Sequence, residues 1–341
     1  MKKLLAGVLA CLGIVIVGLG AGAGASTERS AIDLSTAGDV EELLRLPHTG
    51  VAAIAFTADG ETLASVDGNL ILRIWDLATG EDVQEIELEP DVEQASKGAF
   101  SPDGRLVAVG LPGHSVGVWR VCDGVRTAMF EGETHVMGLR FSPDSEILAV
   151  GRYDGSVELW RVADGALVDR WTAHESAVHG LAFSPDGDTF ATGSINRTFT
   201  IRLWSLDTGE MLAELTEHRE DVYGLLFVSD GERLLSASGD RTAILWDVTS
   251  GDPVRTFRGH ADIVNEIALS PNGAVLATAG SDRTVRLWDL AMAETIAILR
   301  GHTTYVLRAV FSPRGDLLAS CTLNVGGGGE VIVWGVEEEG V

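Results

Sequence analysis

SGDRTAILWD, Ser238 to Asp247, returns 42 residues later as GSDRTVRLWD, Gly280 to Asp289. A phrase kept this closely is either a catalytic motif in duplicate or one part of a unit built many times. The Trp that ends it recurs at Trp75, Trp119, Trp160, Trp204, Trp246, Trp288 and Trp334, with gaps of 44, 41, 44, 42, 42 and 46 residues. Of the eight tryptophans, Trp171 alone falls outside the series. A second marker keeps the same beat: TADG at 57, SPDG at 101, SPDS at 142, SPDG at 184, VSDG at 228, SPNG at 270 and SPRG at 312. Two markers in seven copies each make chance a poor explanation, and a period near 42 with Trp-Asp endings signals an array of like units.

The sixth unit can be read residue by residue. VNEIAL (264–269) alternates apolar positions like a strand, and SPNG is a tight turn in which Pro presets φ and Asn-Gly tolerates positive φ. AVLATAG is the next strand, SDRT a second turn, and VRLWDL the third strand. A fourth, weaker strand such as PVRTFRG follows a Ser-Gly or Thr-Gly turn. One four-stranded sheet can bury neither face alone, whereas seven around an axis cover one another and leave only short edges. The expected fold is therefore all-β: a seven-bladed β-propeller of four-stranded antiparallel blades over residues 41–341.

The ring must also close. Fourth strands run just before the next unit's His, as in LAELTEH, RTFRGH and IAILRGH, and the matching stretch before unit one is EELLRLPH, Glu41 to His48. The chain ends too soon after Trp334 for a full fourth strand of its own. Glu41–Leu46 is thus expected to supply the outer strand of the last blade, although its apolar phase is one residue off the other copies.

The chain of 341 residues is 45% apolar and carries a net charge of −25, a field that repels phosphate backbones and argues against nucleic acid as partner. Its start, MKKLLAGVLACLGIVIVGLGAGAGAS, has the charge–apolar–small order of a secretory signal peptide, with A-x-A sites ending at Ala23 and Ala25. An uncleaved anchor is the alternative, because Leu4 to Ala25 is long enough to span a bilayer; Cys11 after Leu9-Ala10 faintly suggests a lipoprotein signal. Each reading of residues 1–25 sends the rest of the chain out of the cytoplasm, with 26–40 as a linker. Cys122 and Cys321 sit in different repeats and are expected to stay free thiols.

The Gly259-His260 and Gly301-His302 pairs, the SPDG-type turns and the Trp75-Asp76, Trp246-Asp247 and Trp288-Asp289 pairs make the chain resemble the WD40 repeat family over about residues 41–336. The resemblance implies a seven-bladed propeller that binds protein partners and usually catalyses nothing. It also implies a buried tetrad of His, Ser or Thr, Asp and Trp in each blade. Carried over by position, the tetrad is complete as His218, Ser236, Asp240 and Trp246, and again as His260, Thr278, Asp282 and Trp288. Unit three has His135, Asp154 and Trp160 but Val150 in the hydroxyl place; unit four has His174, Thr192 and Trp204, with Asn196 in a lengthened turn. Unit seven has His302, Ser320 and Trp334 with a Gly-rich insertion where Asp belongs; unit one has His48, Ser65 and Trp75 with Asp67 displaced; unit two keeps only Trp119. Blades one, two and seven are accordingly expected to be the less rigid ones.

Other motifs invite chemistry and fail on context. Gly113-His114-Ser115-Val116-Gly117 matches G-x-S-x-G, but a strand, VWRV, follows where a nucleophile elbow needs a helix. Asn324–Glu330 is Gly-rich without the G-K-[S/T] of a phosphate cradle, and reads as a turn or a lip over a ligand. The acidic run Glu85–Glu93 lacks calcium-loop spacing and reads as a solvated outer strand; His174 and His179 lack a third zinc ligand at suitable spacing. No metal or cofactor is expected.

A binding surface can be placed by counting four residues back from the Phe or Leu before each SPDG-type turn: Ala52, Ser96, Met137, His179, Tyr223, Asn265 and Leu307. Tyr153 and Ser281, each before a turn Asp, are expected to join this channel mouth, where the resemblance places partner binding. The function expected is a monomeric, exported, non-catalytic scaffold for a protein or peptide partner, touching membrane only through an uncleaved N-terminus. The second reading is an exported propeller enzyme or small-molecule binder with its site in the channel.

Overall fold

The computed structural model describes residues 29–48, 50–89, 95, 97–322 and 329–336. Seven four-stranded antiparallel sheets form blades 1 to 7, over 51–87, 98–130, 136–172, 178–215, 222–258, 264–300 and 306–335, the last joined by Glu41–His48. First strands of successive blades contact one another around the axis. Seven separate apolar clusters each join two adjacent blades; Ile201 and Leu203 of blade 4, for instance, meet Leu225, Phe227 and Trp246 of blade 5. Each blade face is therefore core, as the stacking argument requires. Among the described residues no helix is long and apolar enough to cross a membrane. The leader, residues 1–25, lies outside the described residues.

The closing strand is where expected, and its register explains the phase mismatch. In blades 1 to 6 the fourth strand carries a bulge opposite the repeat Trp: Trp246 faces Pro253 while Leu245 faces Arg255, so Val254 is skipped. The strand Glu41–His48 repeats this, with Trp334 facing Glu42, Val333 facing Leu44, and Leu43 skipped. Leu46 then faces Val331 just as Phe257 faces Ala243, and both Leu46 and Phe257 are buried. The strand is in step; the mismatch arises after it, where Leu46 stands two residues before His48 but Phe257 stands three before His260. The interval from His to hydroxyl is 18 residues in blades 4 to 7 and 17 from His48 to Ser65. Gly50, with φ at 113°, lies in this shortened turn, a region open chiefly to glycine.

Residues 31–40 also pack on the ring. Ile32 donates its amide to the Gly315 carbonyl at 2.7 Å, and Ile32, Ala37 and Val40 are buried in the cluster between blades 6 and 7. Cys321 is a free, buried thiol, pushed up to about 12 by burial. Cys122 is disulfide-bonded, which corrects the expectation of a free thiol there.

Candidate functional site

The buried tetrads come first, because they look most like catalysis. In blade 5 Trp246 Nε1 donates to Ser236 Oγ at 2.8 Å, His218 Nε2 lies 2.7 Å from the same oxygen, and His218 Nδ1 lies 2.8 Å from Asp240 Oδ2. Blade 6 repeats this with Trp288, Thr278, His260 and Asp282 at 2.8, 2.7 and 2.9 Å. Each Asp also accepts a backbone N–H, from Arg219 or Ala261, and so ties the turn to the chain entering the blade. Burial pushes the Asp240 carboxyl up, but the His218 and Thr242 hydrogen bonds outweigh it and hold it at about 2. Asp282 is lowered further by His260 and Thr284.

Blade 7 corrects the sequence reading. His302 Nε2 lies 2.6 Å from Ser320 Oγ, Trp334 Nε1 donates to that oxygen at 2.7 Å, and Glu330 takes the missing Asp's place 3.2 Å from His302 Nδ1. Glu330 also accepts the Thr303 amide at 2.9 Å, the bond that Asp282 takes from Ala261, and it pairs with Arg45 of the closing strand. Burial lowers His302 to about 4, so it is neutral at pH 7. Its Nδ1–H then donates to Glu330, and its Nε2 accepts the Ser320 hydroxyl proton. The signal was hidden because Glu330 sits at the far end of the insertion; the rest of that insertion, 323–328, lies outside the described residues.

The remaining blades solve the same problem otherwise or leave it. In blade 4 His174 and Trp204 share Thr192 at 2.8 and 2.9 Å, and Thr200, rather than Asn196, stands 3.4 Å from His174 Nδ1. Blade 1 keeps His48, Ser65 and Trp75 at 2.9 and 2.8 Å, while Asp67 serves its own turn and pairs with Arg73 at 3.2 Å. In blade 3 His135 and Asp154 join no tetrad. A buried Arg152–Glu158 pair, 2.6 Å apart, replaces it, and Trp160 Nε1 donates to Glu158 at 3.0 Å. Arg152 Nη1 donates in addition to the His114 and Thr134 carbonyls at 2.6 and 3.0 Å. Gly132 makes room: a Cβ there would sit 2.1 Å from the guanidinium carbon. Blade 2 has Trp119 buried with no partner for Nε1 among the described residues.

An Asp–His–Ser chain resembles a nucleophile triad in its order of groups. Here Ser65, Thr192, Ser236, Thr278 and Ser320 are all fully buried, and each hydroxyl is also occupied by a Trp N–H. A substrate cannot reach them, so these residues hold turns and strands in register. Ser115 follows a short 3-10 turn, Pro112–His114, and precedes the strand Val116–Arg120, so no helix aims N–H groups at it. In the acidic run, Glu85 and Glu87 are exposed on the outer strand Asp82–Glu87, and 90–94 lie outside the described residues. Among the described residues no group of three His, Cys, Asp or Glu is placed to hold a metal.

The channel is the accessible site. The first strands of blades 1, 3, 4, 5, 6 and 7 each carry a bulge, and the skipped residues are Ala52, Met137, His179, Tyr223, Asn265 and Leu307. A bulge re-aims one side chain, and all six line one central cavity of about 650 Å³. Ser96 lies outside the described residues. Ser281 is held at the rim by Asn265, whose Nδ2 donates to its Oγ at 2.9 Å. Tyr153 is 57% exposed and stands edge-on to His135; like Ser281 it is not among the residues that line the cavity.

Sequence counting found the mouth but missed the charge behind it, because those residues occupy strand positions that are glycine or apolar in other blades. Lys97, Arg140, Glu266 and Arg308 line the cavity. Lys97 Nζ donates to His179 Nε2 at 2.9 Å, and His179 Nδ1 donates to the Tyr223 carbonyl at 2.9 Å. Burial and the Lys97 charge lower His179 to about 3; burial and the Arg308 charge lower Lys97 to about 8. Tyr223 rises to about 12 through burial and the neighbouring Asp221.

A comparison with curated proteins gave no match. The family model described as WD domain, G-beta repeat, matches residues 41–76, 165–205, 209–247, 251–289 and 293–335. The model described as anaphase-promoting complex subunit 4 WD40 domain matches 98–179. With the Trp beat, the seven closed blades and the buried tetrads, these matches establish that the chain belongs to the WD40 repeat family.

Proposed function

We propose that this propeller is an exported interaction scaffold that holds a protein or peptide partner at the channel mouth. WD40 propellers typically act in that way, and the observation that carries the reading here is the set of bulged residues. Six blades break strand register at the same place, and the break turns Met137, His179, Tyr223, Asn265 and Leu307 toward one opening. Apolar and aromatic side chains beside hydrogen-bonding ones are the composition of an interface anchor. The groups that resemble catalytic machinery are buried scaffold. Export rests on the charge–apolar–small leader of residues 1–25.

The test is a pull-down with the full chain from the extracytoplasmic fraction of the native cell, repeated with Met137→Ala/Tyr223→Ala. The double variant should lose its partners while its circular dichroism and melting stay those of the parent. Retention of the same partners would sink the assignment of the mouth. Sequencing the N-terminus of the exported form checks the leader, and a protein confined to the cytoplasm would overturn that part.

A further inference from the structure

Three cations enter the channel, and each reaches a blade that is not its neighbour. Lys97 of blade 2 donates to His179 of blade 4 at 2.9 Å. Arg140 of blade 3 donates to the Leu181 carbonyl of blade 4 at 3.1 Å and to the Leu225 carbonyl of blade 5 at 3.2 Å. Arg308 of blade 7 donates to the Gly98 carbonyl of blade 2 at 3.1 Å. Against them stands one carboxylate among the described lining residues, Glu266, 3.5 Å from Arg308. Backbone carbonyls satisfy the guanidinium hydrogens but not their charge. His179 is neutral at pH 7 and adds nothing to the balance.

Among the described lining residues two positive charges therefore remain uncompensated, inside a chain whose net charge is −25. Composition cannot produce that local sign. The fields overlap: burial and the Arg308 charge lower Lys97, while burial lowers Arg140, which feels both Glu266 and Arg308. Guanidinium and ammonium groups converging in a partly dry cavity are the donor set of a carboxylate or phosphate site. The cavity, about 650 Å³, has room for a small molecule.

We propose that the channel binds a small oxyanion ligand carrying two negative charges, a phosphate or a dicarboxylate, seated between Lys97, Arg140 and Arg308. Its two charges complete the balance that Glu266 begins, and Met137 and Leu307 at the mouth give an organic body an apolar wall. Lys97, Arg140 and Arg308 are not among the residues substituted in the partner-binding test, so the two readings fail separately.

The experiment is isothermal titration of the full chain with inorganic phosphate and, separately, with succinate, at pH 7.5, where both are mainly dianions, and physiological salt. One of the two should bind once per chain. Lys97→Met and Arg308→Gln should each weaken that binding about tenfold or more. Glu266→Gln should tighten it, a gain that a misfolded variant cannot imitate. Phosphate alone binding assigns a tetrahedral oxyanion, and succinate alone assigns a dicarboxylate. No saturable binding of either up to about 10 mM overturns the proposal. So does binding that Lys97→Met and Arg308→Gln leave unchanged, or that Glu266→Gln weakens.

Discussion

Replacing Ser236 with Ala tests whether the tetrads are scaffold. Its hydroxyl sits between Trp246 Nε1 at 2.8 Å and His218 Nε2 at 2.7 Å, and all three residues are buried. Removing it strands the indole donor and one imidazole nitrogen at once. A buried polar group left without its partner costs about 1–3 kcal/mol. Two such groups, less the gain from not burying the hydroxyl, give a loss of about 3 kcal/mol. Urea unfolding followed by Trp fluorescence should show it as a lower midpoint at unchanged slope. Ser236→Thr should lose less than about 1 kcal/mol, because Thr fills the same place in blades 4 and 6. Hydrogen exchange at the Trp246 indole should quicken in the Ala variant alone. A Ser236→Ala protein as stable as the parent, or a Thr variant as damaged as the Ala one, would refute the reasoning.

Three further outcomes are expected. Deleting residues 26–47 removes the partner strand of Gly329–Gly335 and the buried Ile32, Ala37 and Leu46, so the melting temperature should fall sharply; an unchanged curve would refute the clasp. Gly132→Ala places a Cβ 2.1 Å from the Arg152 guanidinium carbon and should cost about 3 kcal/mol in urea unfolding, whereas Gly38→Ala, with nothing within 4 Å, should be neutral. Acid should weaken the ring below pH 6.5, because burial lowers His48, His174 and His302 from 6.5 to about 4. Between those values the unfolded chain takes up protons that the folded chain refuses, so stability falls as pH falls; for His174 alone the loss by pH 4 is about 3 kcal/mol. Stability that stays flat from pH 7 to 4 would contradict this.

What was legible in the sequence was what repeats. The Trp beat, the SPDG-type turns and the tetrads of blades 5 and 6 share one register, so one unit read correctly is seven read correctly. The channel mouth was also legible, because its residues hold a fixed distance from the turn marker and one bulge turns them inward. What escaped was substitution within the register. Glu330 does the work of an Asp from the far side of an insertion, so the position rule missed it. Arg152 and Glu158 replace a His–hydroxyl pair with an ion pair, a trade invisible without knowing that both side chains face the same cavity. The closing strand reads as out of phase against His48 because one residue fewer separates Leu46 from His48 than separates Phe257 from His260, while its pairing with Gly329–Gly335 keeps the common register. In each case local spacing failed where a distant contact set the answer.

Blades 2, 3 and 7, each of which departs from the His, Ser or Thr, Asp and Trp set, are the ones that send cations across the channel. Blade 2, whose Trp119 has no partner for Nε1 among the described residues, supplies Lys97 and accepts Arg308. Blade 3, whose Trp160 relies on an ion pair, supplies Arg140. Blade 7 needs Glu330 from its insertion and Arg45 from the clasp, and it supplies Arg308. Blades 2 and 3 are thus braced through the lumen to blades 4 and 5, whose hydroxyls are in place, and blade 7 is braced to blade 2. Like charges gathered there oppose one another, so the brace is strained electrostatically, and an anion between them would relieve that strain. Ligand and fold are then linked: saturating phosphate or succinate should raise the urea midpoint of the parent by the amount its affinity dictates, and should raise that of Arg308→Gln less. Blade 7 lies next to the clasp, so this stabilisation should appear first as slower hydrogen exchange along Glu41–His48, far from the ligand.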